Sequence, residues 1–437
     1  MERGHNNTRS HGMNEREDYV PIDIQEDSDI PLFDSMREMI DDLPPLSNDC
    51  CIYRVPKRMR EINEDAYTPG EVSIGPFHRG KEHLQAMEEF KPRYFQSFLN
   101  RTDRMTLKSC IRVAKEWEER ARSYYAEGIK LSSDEFVKMV LLDSSFIIEV
   151  IWRFNFCNDK NTSYLDRKIS LSNVQQDMIL IENRLPFFIL EGLFDLVFPP
   201  SQGSSSLLHL SIDFFAGSGV ILSDMNESIS SSGVKHFVDM LRLCYLPSSP
   251  RQAYQVKNVQ IPTVTELHGA GMKFKGSISN RKLDIRHATG VLEIPQLIVS
   301  DSTESLFRNL IAFEQFHYQY DSYIIDYIQF MDGLIDTAKD AELLIQNGIL
   351  DSYLSDCSAV ATLFNNLTKE MTLWTPNYFY YGISEKLNEY CRDPKHKWRA
   401  TLTRDYFSTP WKTASTIAAV ILLGLTLIQT ICSIVSL

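Results

Sequence analysis

The sequence is poor in the features that announce chemistry or secretion. Its eight cysteines form no C-x-x-C and no Cys/His ladder at zinc spacing, which argues against a disulfide framework and nominates no zinc site. Cys50 and Cys51 are adjacent, a spacing that suits neither an ordinary disulfide nor two ligands of one tetrahedral metal. Basic residues are in deficit: 45 Lys and Arg stand against 58 Asp and Glu, a net charge of -13. That balance leaves no electrostatic footprint for nucleic acid. No G-x-S-x-G, H-E-x-x-H or G-x-G-x-x-G occurs, and the ten histidines are dispersed. No catalytic, cofactor-binding or metal-binding residue is therefore nominated, and no cofactor is expected. The opening "MERGHNNTRSHGMNERED" has no apolar run, so no cleaved secretory signal is expected. No repeat of solenoid period is visible.

What the chain has is apolar helical patterning. In "TLKSCIRVAKEWEERARSYYAE" (106 to 127), Leu107, Cys110, Ile111, Ala114, Trp117, Ala121 and Tyr124 recur at spacings of three and four, one helical stripe. Glu116 with Arg120 and Glu118 with Arg122 are i,i+4 pairs on the opposite side. "SSDEFVKMVLLDSSFIIEVIWRF" (132 to 154) opens with Ser132 and Glu135 at capping-box spacing and is too apolar for a surface helix. It predicts a buried central helix carrying Asp143 and Glu149. Further helices are expected in 177 to 198, broken at Pro186, in 302 to 320, and among residues 321 to 398.

Strand signals are few: "CIYRV" (51 to 55), "EVSI" (71 to 74), "MKFK" (272 to 275) and "VLEIPQLIV" (291 to 299). They predict one small sheet in which early and late strands meet, joining the halves of the chain into one domain. The fold class expected is mainly α: a single large helical domain over residues 36–400 with one small β-sheet, plus a C-terminal transmembrane helix. "PPSQGSSS" (199 to 206) and "SDMNESISSSG" (223 to 233) then become surface insertions. Residues 1–35, acidic and without apolar period, are expected to be a disordered tail.

Several motifs invite a sharper reading. "VSIGPFHRGKEHL" (72 to 84) places Gly75, Gly80 and Lys81 in the frame of a phosphate-binding loop. A working loop needs a hydroxyl after the Lys and convergent N–H groups. Glu82 supplies a carboxylate instead, and Pro76 removes a donor, so a turn into a helix bearing Leu84, Met87 and Phe90 is expected. Glu314 and His317 make a single E-x-x-H without the second copy that a di-iron site needs; a core or interface histidine is the plainer reading. Neither Asp143 with Glu149 nor Asp177 with Glu182 shares a helical face as an acid/base pair. Capping, a salt bridge to Arg153, or partial exposure explains them.

From Thr413 to Leu437, "TASTIAAVILLGLTLIQTICSIVSL" carries no charge and exceeds the roughly 30 Å of a bilayer's hydrocarbon core. Thr409 can cap and Pro410 can open this helix, with Trp411 and Lys412 at interfacial depth. Lys395, Lys397, Arg399, Arg404 and Lys412 precede it, and residues 401–412 form a juxtamembrane segment. The positive-inside rule predicts a single-pass, tail-anchored protein with a cytosolic body, on the plasma membrane or an endomembrane. The four N-x-S/T sequons at Asn6, Asn161, Asn226 and Asn366 do not argue for a luminal body. Ala414 with Ala418, and Ser415 with Ala419, have small-xxx-small spacing, which suits helix pairing or lipid-facing filler.

As an ordered set, "CIYRVP" (51 to 56), "VSIGPFHRG" (72 to 80), "LQAMEEFKPRYF" (84 to 95), "LLDSSFIIEV" (141 to 150), "IENRLPFFIL" (181 to 190) and "RNLIAFEQ" (308 to 315) resemble the plant family catalogued as domain of unknown function 247, also uncharacterised protein family 0481. The likeness covers about residues 50 to 437. It implies a plant source, a mainly helical body and a membrane tail, and no catalytic residue. Some grass relatives are thought to supply pollen-side specificity in self-incompatibility, which implies recognition of other proteins. Relatives commonly read closer to "LENQIP" where this chain has "IENRLP", so Arg184 stands in place of their Gln. Two functions follow as expectations: a membrane-tethered, non-enzymatic module that binds an unidentified protein partner, as a single copy or as a homo-oligomer; or a hydrolase or transferase with its site in the helical body. An enzyme should show a pocket with convergent polar groups and shifted pKa values, a binding module an exposed apolar patch.

Overall fold

Ser132 and Glu135 close a reciprocal cap, the Ser132 N–H donating to Glu135 Oε2 (2.9 Å) and the Glu135 N–H to Ser132 Oγ (3.4 Å). The cap launches the longest helix of the body. In the computed structural model, residues 30–41, 49–102, 106–156, 170–199, 205–221, 233–252, 260–277, 281–372, 377–395 and 410–435 are described, with isolated positions between them. Helix makes up 61% of the structure, so the fold is mainly α.

By its own contacts the chain divides into Met1–Leu46 and Ser47–Leu437. In the first unit the described part is one amphipathic helix, α1 (Ile30–Asp41), on which Leu32, Phe33, Met36, Met39 and Ile40 are exposed. Residues 1–29 of the expected tail lie outside the described residues, and residues 30–35 begin α1.

The second unit runs through α2 (Lys57–Arg60), α3 (Gln85–Glu88), α4 (Lys91–Leu99), α5 (Leu107–Ser123) and α6 (Ser133–Phe156), then α7 (Leu171–Met178), α8 (Phe187–Val197), α9 (Leu207–Ala216), α10 (Phe237–Tyr245) and α11 (Val264–Gly269). Strands β1 (Lys273–Ser277), β2 (Arg286–Ala288), β3 (Val291–Pro295) and β4 (Leu297–Val299) follow, then α12 (Asp301–His317), α13 (Tyr323–Leu334) and α14 (Ala338–Gln346). Strand β5 (Leu350–Ser352), α15 (Cys357–Leu367), α16 (Tyr381–Arg392) and the terminal α17 (Pro410–Val435) complete the order.

Helix α6 is the axis of the first half. It packs against α4, α5, α8 and α9, and Phe136, Met139, Phe146, Ile148 and Ile151 are all fully buried. Helix α12 plays that part in the second half, against α7, α10, α13 and α15. Both helices are apolar around most of their circumference because neighbours cover every side.

The stripe on α5 is as patterned from Cys110 onward, with Cys110, Ala114 and Ala121 buried. Leu107 and Ile111 remain exposed in its first turns. Glu118 and Arg122 pair at 2.9 Å. Glu116 lies instead near Arg112 (3.9 Å), while Arg120 stacks over Phe188 at 4.0 Å. A cation over an aromatic face competes well with an exposed i,i+4 pair. Pro186 ends the extended link after α7 and serves as N-cap of α8.

The expected single sheet is not formed. Strands β1, β3 and β2 make one sheet, parallel between β1 and β3 and antiparallel between β3 and β2; β4 and β5 make a second, parallel pair. The late segments are strands as patterned. The early ones are not: Ile52 forms an isolated bridge with Tyr125, and residues 71–74 have no strand partner. The alternating apolar residues Val72 and Ile74 are buried, but side chains, not a neighbouring strand, take up the backbone donors of this segment.

A buried ion pair joins α10 to α12 and gives the second half a direct test. Arg242 donates to Glu314 (2.8 Å), whose other oxygen accepts the N–H groups of Ile324 (2.8 Å) and Ile325 (3.0 Å) at the start of α13. Both side chains are essentially inaccessible. Glu314→Ala should cost about 3–5 kcal/mol, because it leaves the buried guanidinium with Asp321 alone and takes the acceptor from two N–H groups. Urea unfolding of the detergent-solubilised chain measures the loss.

Candidate functional site

The segment from Gly70 to Lys81 enters the core as irregular chain, so its N–H groups need acceptors that no helix or ladder supplies. Three buried side chains provide them, and a fourth, Glu182, serves the chain upstream at Val55. Asp177, at the end of α7, accepts from Gly70 through Oδ1 (2.9 Å) and from Glu71 and Val72 through Oδ2 (both 2.7 Å). Asn183 accepts from Ile74 (2.6 Å) and donates back to the Val72 carbonyl (2.9 Å). Asp143, in mid-α6, accepts from Gly75 (2.8 Å) and from the ammonium of fully buried Lys91 (2.6 Å). Glu182 accepts from Val55 (2.7 Å) and from Arg60 (2.6 Å).

The same network ties in the second half. Asn309 of α12 accepts from the Ile181 N–H (2.8 Å) and donates to the Ala66 carbonyl (2.7 Å). Tyr53 Oη donates to the Phe313 carbonyl (3.1 Å), and Tyr125 Oη to that of Arg184 (3.1 Å).

Titration follows burial. Burial raises the Asp177 carboxyl against the pull of its three N–H donors. Burial also pushes Glu182 upward, but His78, Val55 and Arg60 outweigh it and hold the group below its ordinary value. His78 lies 3.4 Å from Glu182 and is itself lowered, chiefly by burial. Arg184 is fully enclosed, its Nε donating to Leu180 O (3.1 Å) and its Nη1 lying 2.8 Å from His236 Nδ1; burial draws it down to about 9. His236 Nδ1 also accepts the Asp239 N–H (3.1 Å) as N-cap of α10. With Nδ1 accepting, His236 is neutral, in keeping with the strong lowering that its burial causes.

Each residue weighed in the sequence is thus placed. Gly75 to Lys81 is a turn, buried at Gly75, Phe77 and His78 and open at Gly80, and three-ten and short α turns (Glu82–Leu84, α3) follow it rather than one helix. Asp143, Glu149, Asp177 and Glu182 are all buried, so partial exposure explains none of them. Glu149 is clamped by Arg101 through both oxygens and by Arg153 at 3.1 Å, as its spacing suggested. His317 stacks on Phe313 (5.3 Å, 6°) and burial lowers it to about 4. Cys51 is a buried free thiol pushed up to about 12 by burial. Lys91, the hub under the loop, carried no sequence signal beyond its place in an apolar helix. Among the described residues, no group of three or more His, Cys, Asp or Glu is arranged to hold a metal ion.

Above the network opens a cleft of about 680 Å³ lined by Asn63, Asp65, Glu71, His83, Asn173, Gln176, Asp301 and Glu304, with Asp177 at its floor. Its lining is acidic and amide-rich. His83 Nε2 is 3.1 Å from the Pro69 carbonyl and Asp177 is filled by backbone donors. The cleft therefore presents hydrogen-bond acceptors and negative charge.

A family model described as a plant protein of unknown function, DUF247, matches residues 52–425. The chain belongs to that family. It is similar to two UPF0481 proteins of Arabidopsis thaliana: 28% identical to one, over 89% of this chain and 87% of that protein, and 21% identical to the other, over 86% and 89%. No solved structure matches. The six motifs that carry the DUF247 resemblance are the same segments that the network binds together: Val55 to Glu182, Ile74 to Asn183, Gly75 to Asp143, Ile181 to Asn309.

Two tests address this network. Gly75 has φ +75°, and a Cβ there would stand 2.5 Å from the Arg184 carbonyl oxygen. Gly75→Ala should therefore cost at least ~2 kcal/mol, and Asp177→Ala, which orphans three N–H groups, about 3 kcal/mol or more; both are read as lowered midpoints in denaturant.

The second test uses pH. Burial holds the pKa values of His78 and His236 in the folded chain below the unfolded one. Below about pH 6.5 the unfolded chain takes up protons that the native state refuses. Each histidine then withdraws stability as pH falls, by at most ~1.4 kcal/mol per pH unit. The drop in unfolding free energy between pH 7 and pH 5 should be smaller in His236→Gln than in the parent chain, measured by urea titration at each pH.

Proposed function

We propose that this DUF247 protein is a membrane-tethered, non-enzymatic recognition module whose cytosolic body engages a partner protein through the acidic cleft. The observation that carries the reading is where the carboxylates are used. Asp143, Glu149, Asp177 and Glu182 all hold cations or backbone N–H groups within the fold. What remains at the surface of the cleft is charge without a nucleophile and base in contact. A basic, extended segment of a partner suits such a lining.

The tether is α17. Among the described residues, one helix is long and apolar enough to cross a membrane, Pro410–Cys432, and none of its most apolar stretch is buried. At ~1.5 Å per residue, the 26 residues of α17 span about 39 Å, enough for the hydrocarbon core with some tilt. Lys395 and Lys412, on the body's side of the span, support the cytosolic orientation. Thr409 lies outside the described residues, and Pro410 opens the helix.

The enzymatic reading has one observation in its favour: Asp177, raised by burial, floors the cleft. Its two oxygens already accept three N–H groups, which supports a structural duty instead.

Alkaline carbonate should leave the full chain in the membrane pellet and release a copy ending at Pro410. In proximity labelling, that truncated copy should lose its specific neighbours, and Asp65→Lys with Asp301→Lys should lose them while staying membrane-bound. Neighbours unchanged by the charge reversal would count against the cleft, and turnover of a substrate abolished by Asp177→Asn would favour the enzyme.

A further inference from the structure

The span contains an amide that lipid cannot satisfy. Gln429 lies six residues before the end of α17, and no described residue is hydrogen-bonded to it. The nearby hydroxyls are provided for: Thr426 Oγ1 donates to the Leu422 carbonyl and Thr430 Oγ1 to that of Thr426, each at 2.8 Å. An unpaired polar side chain in hydrocarbon costs of order kcal/mol, so such residues face protein or a water-filled cavity, not lipid.

The residues that share the face of Gln429 are not those of the rest of the helix. Ser415, Ala419, Leu422, Thr426 and Gln429 follow one another at steps of four, three, four and three, the spacing of a left-handed two-helix seam. Their side chains therefore lie on one stripe. The opposite face carries Ile417, Val420, Ile421, Gly424, Leu427, Ile428 and Ile431, a surface with no polar side chain and suited to lipid. Ser415 and Ala419 are small enough for backbones to approach closely, and every member of the stripe is exposed.

From this juxtaposition we infer that α17 pairs with α17 of a second copy of this chain along the Ser415–Gln429 stripe, the two Gln429 amides bonding to each other. A second copy is the occupant because the stripe carries no charge that would ask for an oppositely charged partner. An amide has one acceptor and two donors, so the group that best matches it at the same depth is an identical amide across a two-fold axis. The pairing rests on the membrane reading above and extends it: the anchor becomes the dimer contact, and two clefts are carried by each assembly.

The test uses full-length chain in membranes, with Cys432→Ser as parent because Cys432 lies off the stripe. Oxidation with copper phenanthroline should cross-link Ala419→Cys and Leu422→Cys into dimers. Val420→Cys and Leu427→Cys should cross-link about fivefold less or worse, in line with ~1–2 kcal/mol for a membrane hydrogen bond. Adding Gln429→Leu should cut the Leu422→Cys dimer by a similar factor, Gln429→Asn should keep most of it, and carbonate resistance should be unchanged in both. Equal cross-linking on the two faces, or a dimer indifferent to Gln429→Leu in carbonate-resistant protein, overturns the pairing alone. Release of the full chain by carbonate overturns the membrane reading and the pairing with it.

Discussion

The structure depends on one requirement: irregular backbone that enters the core, at Val55 and again from Gly70 to Gly75, must have its N–H groups accepted. An unpaired buried donor costs about 1–3 kcal/mol, and this stretch presents several in succession. Asp177, Asn183, Asp143 and Glu182 meet the demand, and each comes from a part of the chain more than sixty residues away. Closing these bonds brings α6, the link between α7 and α8, and the N-terminal loops together at once. Asn309 then extends the closure to α12.

A carboxylate taken into such an interior loses its hydration, and only well-placed donors restore it. Asp143 is held by the Lys91 ammonium as well as by the Gly75 N–H; Glu182 by Arg60 as well as by Val55. The ions are compensated in pairs, so removal of either partner leaves the other exposed to the full penalty. An alternative register of the loop would strand several charges together, which is why this arrangement favours one conformation over its neighbours. The same logic explains Arg184. With no carboxylate among the described residues in hydrogen-bond reach, it leans on the Leu180 carbonyl and on a neutral His236, and its burial shows in a lowered pKa.

Periodic features were legible in the sequence because period is what exposes them. The capping pair Ser132 and Glu135, the buried course of α6, the break at Pro186, the late strands and the terminal apolar helix all follow from spacing or composition. The early strands did not form because Val72 and Ile74 alternate as a strand would, while their donors are taken by side chains. A side-chain acceptor leaves no periodic trace, so Asp177 reads like any helix-terminal Asp and Lys91 like any solvated Lys. Spacing puts no two of these carboxylates on one helical face; it could not tell that they were buried, since the donors that make burial tolerable lie far off in sequence. The cleft was unreadable for the same reason, being assembled from the ends of α7 and α12 and the loop around Asp65.

The division of duties between body and tail has a physical consequence for binding. An acidic cleft open to solvent gains little from each contact, because water and salt screen its charges over about 8 Å at physiological ionic strength. Such a surface by itself supports weak, fast association. Confinement to a membrane changes the terms: partners held in one plane meet at an effective concentration far above their bulk value, and two clefts joined by a common anchor would multiply that gain without a new contact. On the proposed reading, weak binding by the cleft is then an advantage: the cleft would discriminate between partners by charge, while the helix in the bilayer would set the strength of the assembly.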